Sequence, residues 1–228
     1  MIVSYGAGTN STAMLVGLLE HNERPDFILF ADTGGERPET YRHIKVVNDW
    51  CQFDGFPMIV TVREKETLEE NCLRRKALPG IAYGFKSCSE HYKARPQKRW
   101  LKEQGIKGQF LVGIDAGESH RAKLEDVRYP LIEWDWGREE CIEAIERSGL
   151  PQPGKSACFF CPSTKKPEIL KIKSDHPDLF ERALRLEANA ELTSVKGLGR
   201  RFAWRDLTEK LQVEIVPEIS CMCFDGDI

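Results

Sequence analysis

The sequence lacks several things, and each absence narrows the reading. No apolar run in its 228 residues approaches the ~18 needed to cross a bilayer, so no membrane partner is expected. Met1 leads straight into Ile2 and Val3, without a basic start, an apolar stretch or a small-residue cleavage site, so no secretory leader is expected. Positive charge is not in excess: 33 Lys and Arg stand against 36 Asp and Glu, a net charge of −3, which excludes a uniformly basic nucleic-acid binder but leaves room for a local basic patch. Eight cysteines are too few for a disulfide scaffold of this length. Glycine and proline, at 18 and 12, are too ordinary for collagen or low-complexity chain. What remains, 41% hydrophobic and 30% charged, reads as a globular cytoplasmic protein.

Apolar periodicity alternates strands with helices. Met1–Ser4, Phe27–Ala31, Met58–Val62 and Phe110–Ile114 are short apolar runs of strand length. Between and after them, Ser11–Glu20, Pro38–Cys51, Glu90–Gln104 and Arg138–Arg147 have helical spacing, with Pro96 starting or kinking the third. This order predicts an α/β fold: a mostly parallel twisted sheet with helices on both faces. Pro151, Pro153 and Gly154 break the pattern. The expected division is a nucleotide-binding core over 1–150 and a cysteine-containing C-terminal extension over 151–228, packed on that core.

The segment Ser4-Tyr5-Gly6-Ala7-Gly8-Thr9-Asn10-Ser11-Thr12 joins a strand to a helix. Glycines such as Gly6 and Gly8 let a backbone approach an anion, and the helix behind presents free N–H groups. An ordinary capped turn would look similar. No Lys closes the loop, which excludes the G-x-x-x-x-G-K-[ST] phosphate loop, and Ser11 stands where a dinucleotide loop needs its third Gly.

Together with four further segments, this loop resembles the phosphoadenosine phosphosulfate reductase-like family of the adenine nucleotide α-hydrolase-like, or N-type ATP pyrophosphatase, superfamily. The segments are Ala31-Asp32-Thr33-Gly34 with Pro38-Glu39-Thr40-Tyr41; Cys88 with Lys93 and Pro96; Gly113-Ile114 with Glu118, Ser119 and Arg121; and Tyr129 to Ile132 with Trp134. The resemblance covers roughly residues 1–165 and implies binding of ATP with Mg2+. It places Ser4, Tyr5, Gly6, Gly8, Thr9, Asn10, Ser11, Thr12, Ala31, Asp32, Thr33, Lys93 and Gly113 around the nucleotide. Asp32, Glu118 and Arg121 become candidate catalytic residues. Asp32 holds either a magnesium ion or the adenosine, or only caps its turn.

Two departures bear on the reaction. Asp115 stands where sulfonucleotide reductases carry Arg, and a carboxylate repels a sulfate or second phosphate. The reductase tail motif Glu-Cys-Gly-x-His is absent, and Ser220-Cys221-Met222-Cys223 stands in the tail instead. The preferred expectation is therefore an enzyme that cleaves ATP between its α and β phosphates and activates an acceptor for sulfur transfer, in DNA phosphorothioation or a related nucleic-acid thiolation. A cysteine desulfurase is the expected sulfur donor, and a nucleic acid or nucleic-acid-modifying complex the partner. A thiol-dependent sulfonucleotide reductase and a nucleotide-sensing scaffold with a structural metal are the alternatives.

Cys158-Phe159-Phe160-Cys161-Pro162 has the C-x-x-C spacing that brings two thiolates to one metal or to each other. In iron–sulfur members of the resembled family the segment of Cys88 supplies a ligand. Cys88, Cys158, Cys161 and Cys223 are thus the candidate ligands of a 4Fe–4S cluster, with structural zinc as the alternative. Cys221, an alternative ligand, is the candidate sulfur carrier. Cys51 and Cys141 lie on apolar helical stripes and read as core thiols; Cys72, beside Arg74 and Arg75, reads as an idle surface thiol. Lys86 to Lys102 with Trp100, and Arg200 to Arg205 with Phe202 and Trp204, are basic stretches with aromatics that together suit phosphates.

Overall fold

The computed structural model describes residues 1–82 and 85–207. The tail cysteines Cys221 and Cys223 lie outside the described residues.

The chain runs β1 (Ile2–Tyr5), α1 (Thr9–Glu20), β2 (Phe27–Ala31), α2 (Pro38–Phe53), β3 (Ile59–Val62) and α3 (Leu68–Arg74). A two-stranded antiparallel pair follows, β4 (Ile81–Ala82) with β5 (Phe85–Lys86). Then come α4 (Ser87–Ser89), a π-helical turn (Glu90–Ala94), α5 (Arg95–Glu103), β6 (Phe110–Val112), a 3-10 turn (Ala116–Arg121) and β7 (Val127–Arg128). The last described elements are α6 (Pro130–Glu133), α7 (Arg138–Arg147), α8 (Lys166–Asp175) and α9 (Pro177–Asn189).

Five strands form one sheet in the order β3-β2-β1-β6-β7, every neighbour pair parallel. The fold is α/β, as the alternation predicts. Strand residues alternate between faces. Val3, Tyr5, Ile28, Phe30 and Leu111 pack with α1, α2 and α7 on one side. Ile2 and Leu29 pack with Leu101 and Trp100 of α5 on the other. The order explains this: β1, β2 and β3 step one way with helices on one face, and the return to β6 puts α5 on the opposite face. Each fully buried Leu or Met here is worth about 1.5–3 kcal/mol.

Pro96 neither breaks nor simply starts its helix. The turn before it opens to π geometry and Pro96 becomes the second residue of α5, where a missing N–H costs no helical bond. The short β7, α3 and α8 escape the sequence pattern. α3 is fixed by a capping box: the Thr67 hydroxyl accepts from the Glu70 N–H, and the Glu70 carboxylate accepts from the Thr67 N–H at 2.8 Å.

A second apolar cluster gathers Leu68 and Cys72 of α3, Tyr92, Phe159, Phe160, α8, α9, Leu198 and Trp204. The chain after residue 150 therefore packs with segments that precede it. Cys72 is buried there, not an idle surface thiol, and burial pushes its pKa up to about 12. Trp204 is fully buried against Phe180, so it offers no face to a nucleic-acid base, while the half-buried Trp100 packs edge-on against Phe27. Cys51 and Cys141 are fully buried. Among the described residues no helix is long and apolar enough to cross a membrane.

Candidate functional site

The sheet order reverses at β1 and β6, and ligands of open α/β sheets enter the crevice at the carboxyl ends of such strands. A cleft of about 750 Å³ opens there. Its floor is Ser4, Gly6, Gly8, Thr9, Asn10, Ser11 and Gly113, and its walls carry Lys86, Lys93, Arg121, Arg138 and Lys155.

The loop is braced by its own backbone and by β6. Ser11 Oγ donates to the Gly8 carbonyl at 3.1 Å and accepts from the Gly8 N–H at 3.2 Å, closing the first turn of α1. Ala7 takes a left-handed φ of 55° beneath it. At Gly113 an added Cβ would lie 2.9 Å from the Asn10 backbone, so β6 abuts the start of α1 only because this residue has no side chain. Gly8, by contrast, has room: its Cβ would stand 3.6 Å from Ser156. The close-approach glycine of this site is Gly113.

Asp115 is a brace as well. It is buried, and its carboxylate accepts from Asn10 Nδ2 at 2.8 Å and from the Glu118 N–H at 3.0 Å. Arg138 reaches Asn10 Oδ1 at 3.5 Å from the other side. The carboxylate expected to repel a ligand anion is instead occupied in holding the loop.

Not every residue of the expected set faces the cleft. Tyr5 and Thr12 point into the core, where Thr12 Oγ1 meets Tyr5 OH at 3.2 Å and His43 Nε2 at 3.1 Å. Burial raises the Tyr5 phenol well above its usual range, so it stays protonated. Asp32 caps its turn: Oδ1 accepts from the Gly34 N–H at 2.8 Å and from Tyr41 OH at 2.7 Å. Glu118 is ion-paired with Arg121. Ala31 and Thr33 are buried, and Thr33 Oγ1 lies 3.1 Å from Cys158 Sγ.

The structure adds a strap that sequence pattern did not single out. Pro153, Gly154, Lys155 and Ser156 cross the loop; the Ser156 hydroxyl donates to the Gly6 carbonyl, and Lys155 is paired with Glu168 at 2.6 Å. The run of Pro, Gly and Ser ahead of the C-x-x-C pair was its visible signal.

Cys158 continues from that strap. It forms an antiparallel bridge with Glu36, the Phe159 N–H donates to the Gly35 carbonyl at 2.8 Å, and the Cys161 N–H returns to the Cys158 carbonyl at 3.0 Å. Cys88 and Cys158 each lie within electrostatic range of Cys161. Burial and Glu36 push the Cys158 thiol up to about 12, against the pull of Lys93. Cys88 is raised by burial and by Cys161, with Lys93 and Lys86 opposing. Phe159 and Phe160 close the apolar side. Among the described residues no three His, Cys, Asp or Glu side chains stand close enough to hold a metal ion.

Fold and site together define an α/β protein with an anion-suited cleft at the switch point of a parallel sheet. No family profile matches the chain. It is 27% identical to an uncharacterized protein of Methanocaldococcus jannaschii over 204 residues, which cover 80% of this chain and 40% of that protein; the chain thus spans well under half the length of this curated relative. Among solved structures it is similar to the U34-tRNA thiolase NcsA from Methanococcus maripaludis with its 4Fe–4S cluster, at 16% identity and a TM-score of 0.46, covering 92% of this chain and 80% of that one.

Proposed function

We propose that the protein is an ATP pyrophosphatase that activates an acceptor for sulfur transfer. The observation that carries this reading is the cleft itself: a lysine-free Gly/Ser loop at the start of α1, abutted by Gly113 and walled by five cations. Loop N–H groups and the helix dipole suit the β and γ phosphates, and Lys93, Arg121 and Lys155 suit the charge that gathers on departing pyrophosphate. The acceptor oxygen attacks the α phosphorus, pyrophosphate leaves, and the adenylated acceptor is then open to displacement of AMP by sulfur. Mg2+ would enter with the ATP and neutralise phosphate charge, with Asp32 the candidate residue to hold it. The acceptor is a nucleic acid, in DNA phosphorothioation or a related thiolation, and a cysteine desulfurase supplies the sulfur in the cytoplasm.

The donor set beside the cleft matches a thiophilic metal group in chemistry, with thiols, cations and an apolar backing, although as placed no three described donors stand close enough to hold an ion. Cys88, Cys158 and Cys161 would hold a 4Fe–4S cluster or zinc, with Cys223 as fourth ligand and Cys221 as carrier. A cluster supplies a soft site for sulfur when bound.

Incubation with α- and γ-labelled ATP, Mg2+ and oligonucleotide acceptors should release pyrophosphate and leave AMP or adenylated acceptor. ADP and orthophosphate would refute the reaction class. Sulfite formed from adenosine phosphosulfate with thioredoxin would make the protein a reductase. Anaerobic purification with iron, sulfide and zinc assays reads the metal, and Cys158→Ser should lose it.

A further inference from the structure

Glu36 is the buried charge for which the loop and the cysteines do not account. Its carboxylate is 0% exposed. One oxygen, Oε1, lies 3.5 Å from Lys93 Nζ; the other, Oε2, is buried with no hydrogen-bond partner. Arg37, its neighbour in sequence, makes no hydrogen bond to it, and two Arg37 nitrogens are themselves buried without partners. A carboxylate in such a place is tolerated only if a cation is held against it. Lys93 is the cation present, and its side chain remains 40% exposed on the cleft side. Burial alone would pull the Lys93 pKa down, but Glu36, Cys158 and Cys88 outweigh it and raise it.

The position of Glu36 gives this pair a further role. Its backbone bridges Cys158, so one residue touches the cysteine loop through its main chain and a cleft cation through its side chain. Lys93 has three donor hydrogens, and Glu36 takes one at long range. The remaining two are available to an anion in the cleft. Were Lys93 to swing wholly to that anion, Glu36 would be left as an uncompensated buried charge. Lys93 is therefore confined between the two.

We infer that Glu36 is a positioning residue that anchors Lys93 at the wall shared by the cleft and the cysteine loop, fixing where a phosphate can sit relative to the thiols. The phosphate part of this rests on the nucleotide reading above; the anchoring does not.

Two measurements on the whole chain test the parts separately. Thermal unfolding of K93M, E36Q and the double variant reads the anchor. K93M strands the carboxylate and should lower the midpoint by about 5 °C. E36Q removes that stranded charge, so the K93M/E36Q protein should be more stable than K93M. A double variant no more stable than K93M would overturn the anchoring, whatever the protein binds. Titration of wild type, E36Q, K93M and the double variant with Mg-ATP reads the consequence. E36Q should weaken binding ~10-fold in the wild-type background and less than ~2-fold in the K93M background. Equal effects in both backgrounds would show that Glu36 does not act through Lys93. If wild type binds no ATP while the stability pattern holds, the anchor stands and the nucleotide reading falls. If E36Q fails to fold, E36M in the K93M background carries the stability comparison, since it too removes the charge, and E36D in the same two backgrounds carries the ATP comparison, since it keeps the charge while shortening its reach.

Discussion

The loop between β1 and α1 and the cysteine loop around Cys158 share one wall of the molecule but are assembled differently. The first is built from consecutive residues: strand, turn and helix follow within Ile2–Glu20, and Gly113, Asp115, Arg138 and Ser156 come from elsewhere to brace it. The second is stitched from three distant stretches, Thr33–Glu36, Cys88–Lys93 and Ser156–Cys161, joined by a β-bridge, a hydroxyl–thiol contact and a long ion pair. A contiguous site is held by local geometry. A stitched one depends on buried polar groups finding partners across the fold, and so it concentrates its risk in a few residues such as Glu36, as does the cluster beneath it in Glu187.

The sharpest way to break that contrast is at Glu187, which is 1% exposed. Its carboxylate accepts the N–H groups of Leu198 at 2.7 Å, Trp204 at 2.8 Å and Arg205 at 3.3 Å. Glu187→Ala should cost about 4 kcal/mol, since three donors lose their acceptor in an apolar cluster. Urea unfolding followed by far-UV circular dichroism would show it, and a loss below about 1 kcal/mol would mean that water or rearrangement replaces the carboxylate. Next comes Gly113→Ala, which tests the contiguous site at its closest external backbone contact. The added carbon at 2.9 Å from the Asn10 backbone should lower ATP affinity ~10-fold and stability by about 2 kcal/mol, read by calorimetric titration and denaturant midpoint. Unchanged affinity would detach β6 from the function of the loop.

Two smaller effects concern α3, which supplies Leu68 and Cys72 to the second cluster. Thr67→Ala removes its N-cap and should cost about 1 kcal/mol. Glu66 is held to a pKa of about 2 by hydrogen bonds from Arg74 and Asn71. Its folded value lies below the unfolded one, so its small contribution is complete above about pH 4.5 and fades as pH falls through about 2. A carboxyl-carbon NMR titration of Glu66 with a midpoint near 4.5 would show that this pairing is not held in solution.

The same division decides how much could be read in advance. Strand runs such as Phe27–Ala31 and helical stripes such as Arg138–Arg147 announce themselves by period, because one buried face imposes one spacing. Ser4 and the loop glycines stand out by their place between a strand and a helix, whereas Gly113 was placed only by the family resemblance. Asp115 was visible as an oddity, but its role required knowing that Asn10, 105 residues away, donates to it. Glu36 gave no signal, because one glutamate in a polar run looks like any solvated charge until its burial is known. Trp204 misled in the opposite sense: an aromatic amid arginines resembles a base-stacking surface, yet its ring is fully buried against Phe180.

The carboxylate of Glu187 grips its partner segment mainly by main-chain N–H groups, which are the same whatever side chains the segment carries, with the Arg205 guanidinium 3.6 Å from Oε1 besides. The path of residues 196–205 is thus set by that grip and by the buried Leu198, Ala203 and Trp204, not by the exposed side chains between them. Gly197 admits no side chain, since a Cβ there would sit 2.4 Å from the Glu187 oxygen, and at Gly199 one would meet the Phe202 ring at 2.5 Å. Arg200 and Arg201 are exposed on this segment. Evolution can retune that surface, one residue at a time and in either charge sign, without rebuilding the scaffold beneath it. A saturation library should show this directly, tolerant at 200 and 201 and closed at 197.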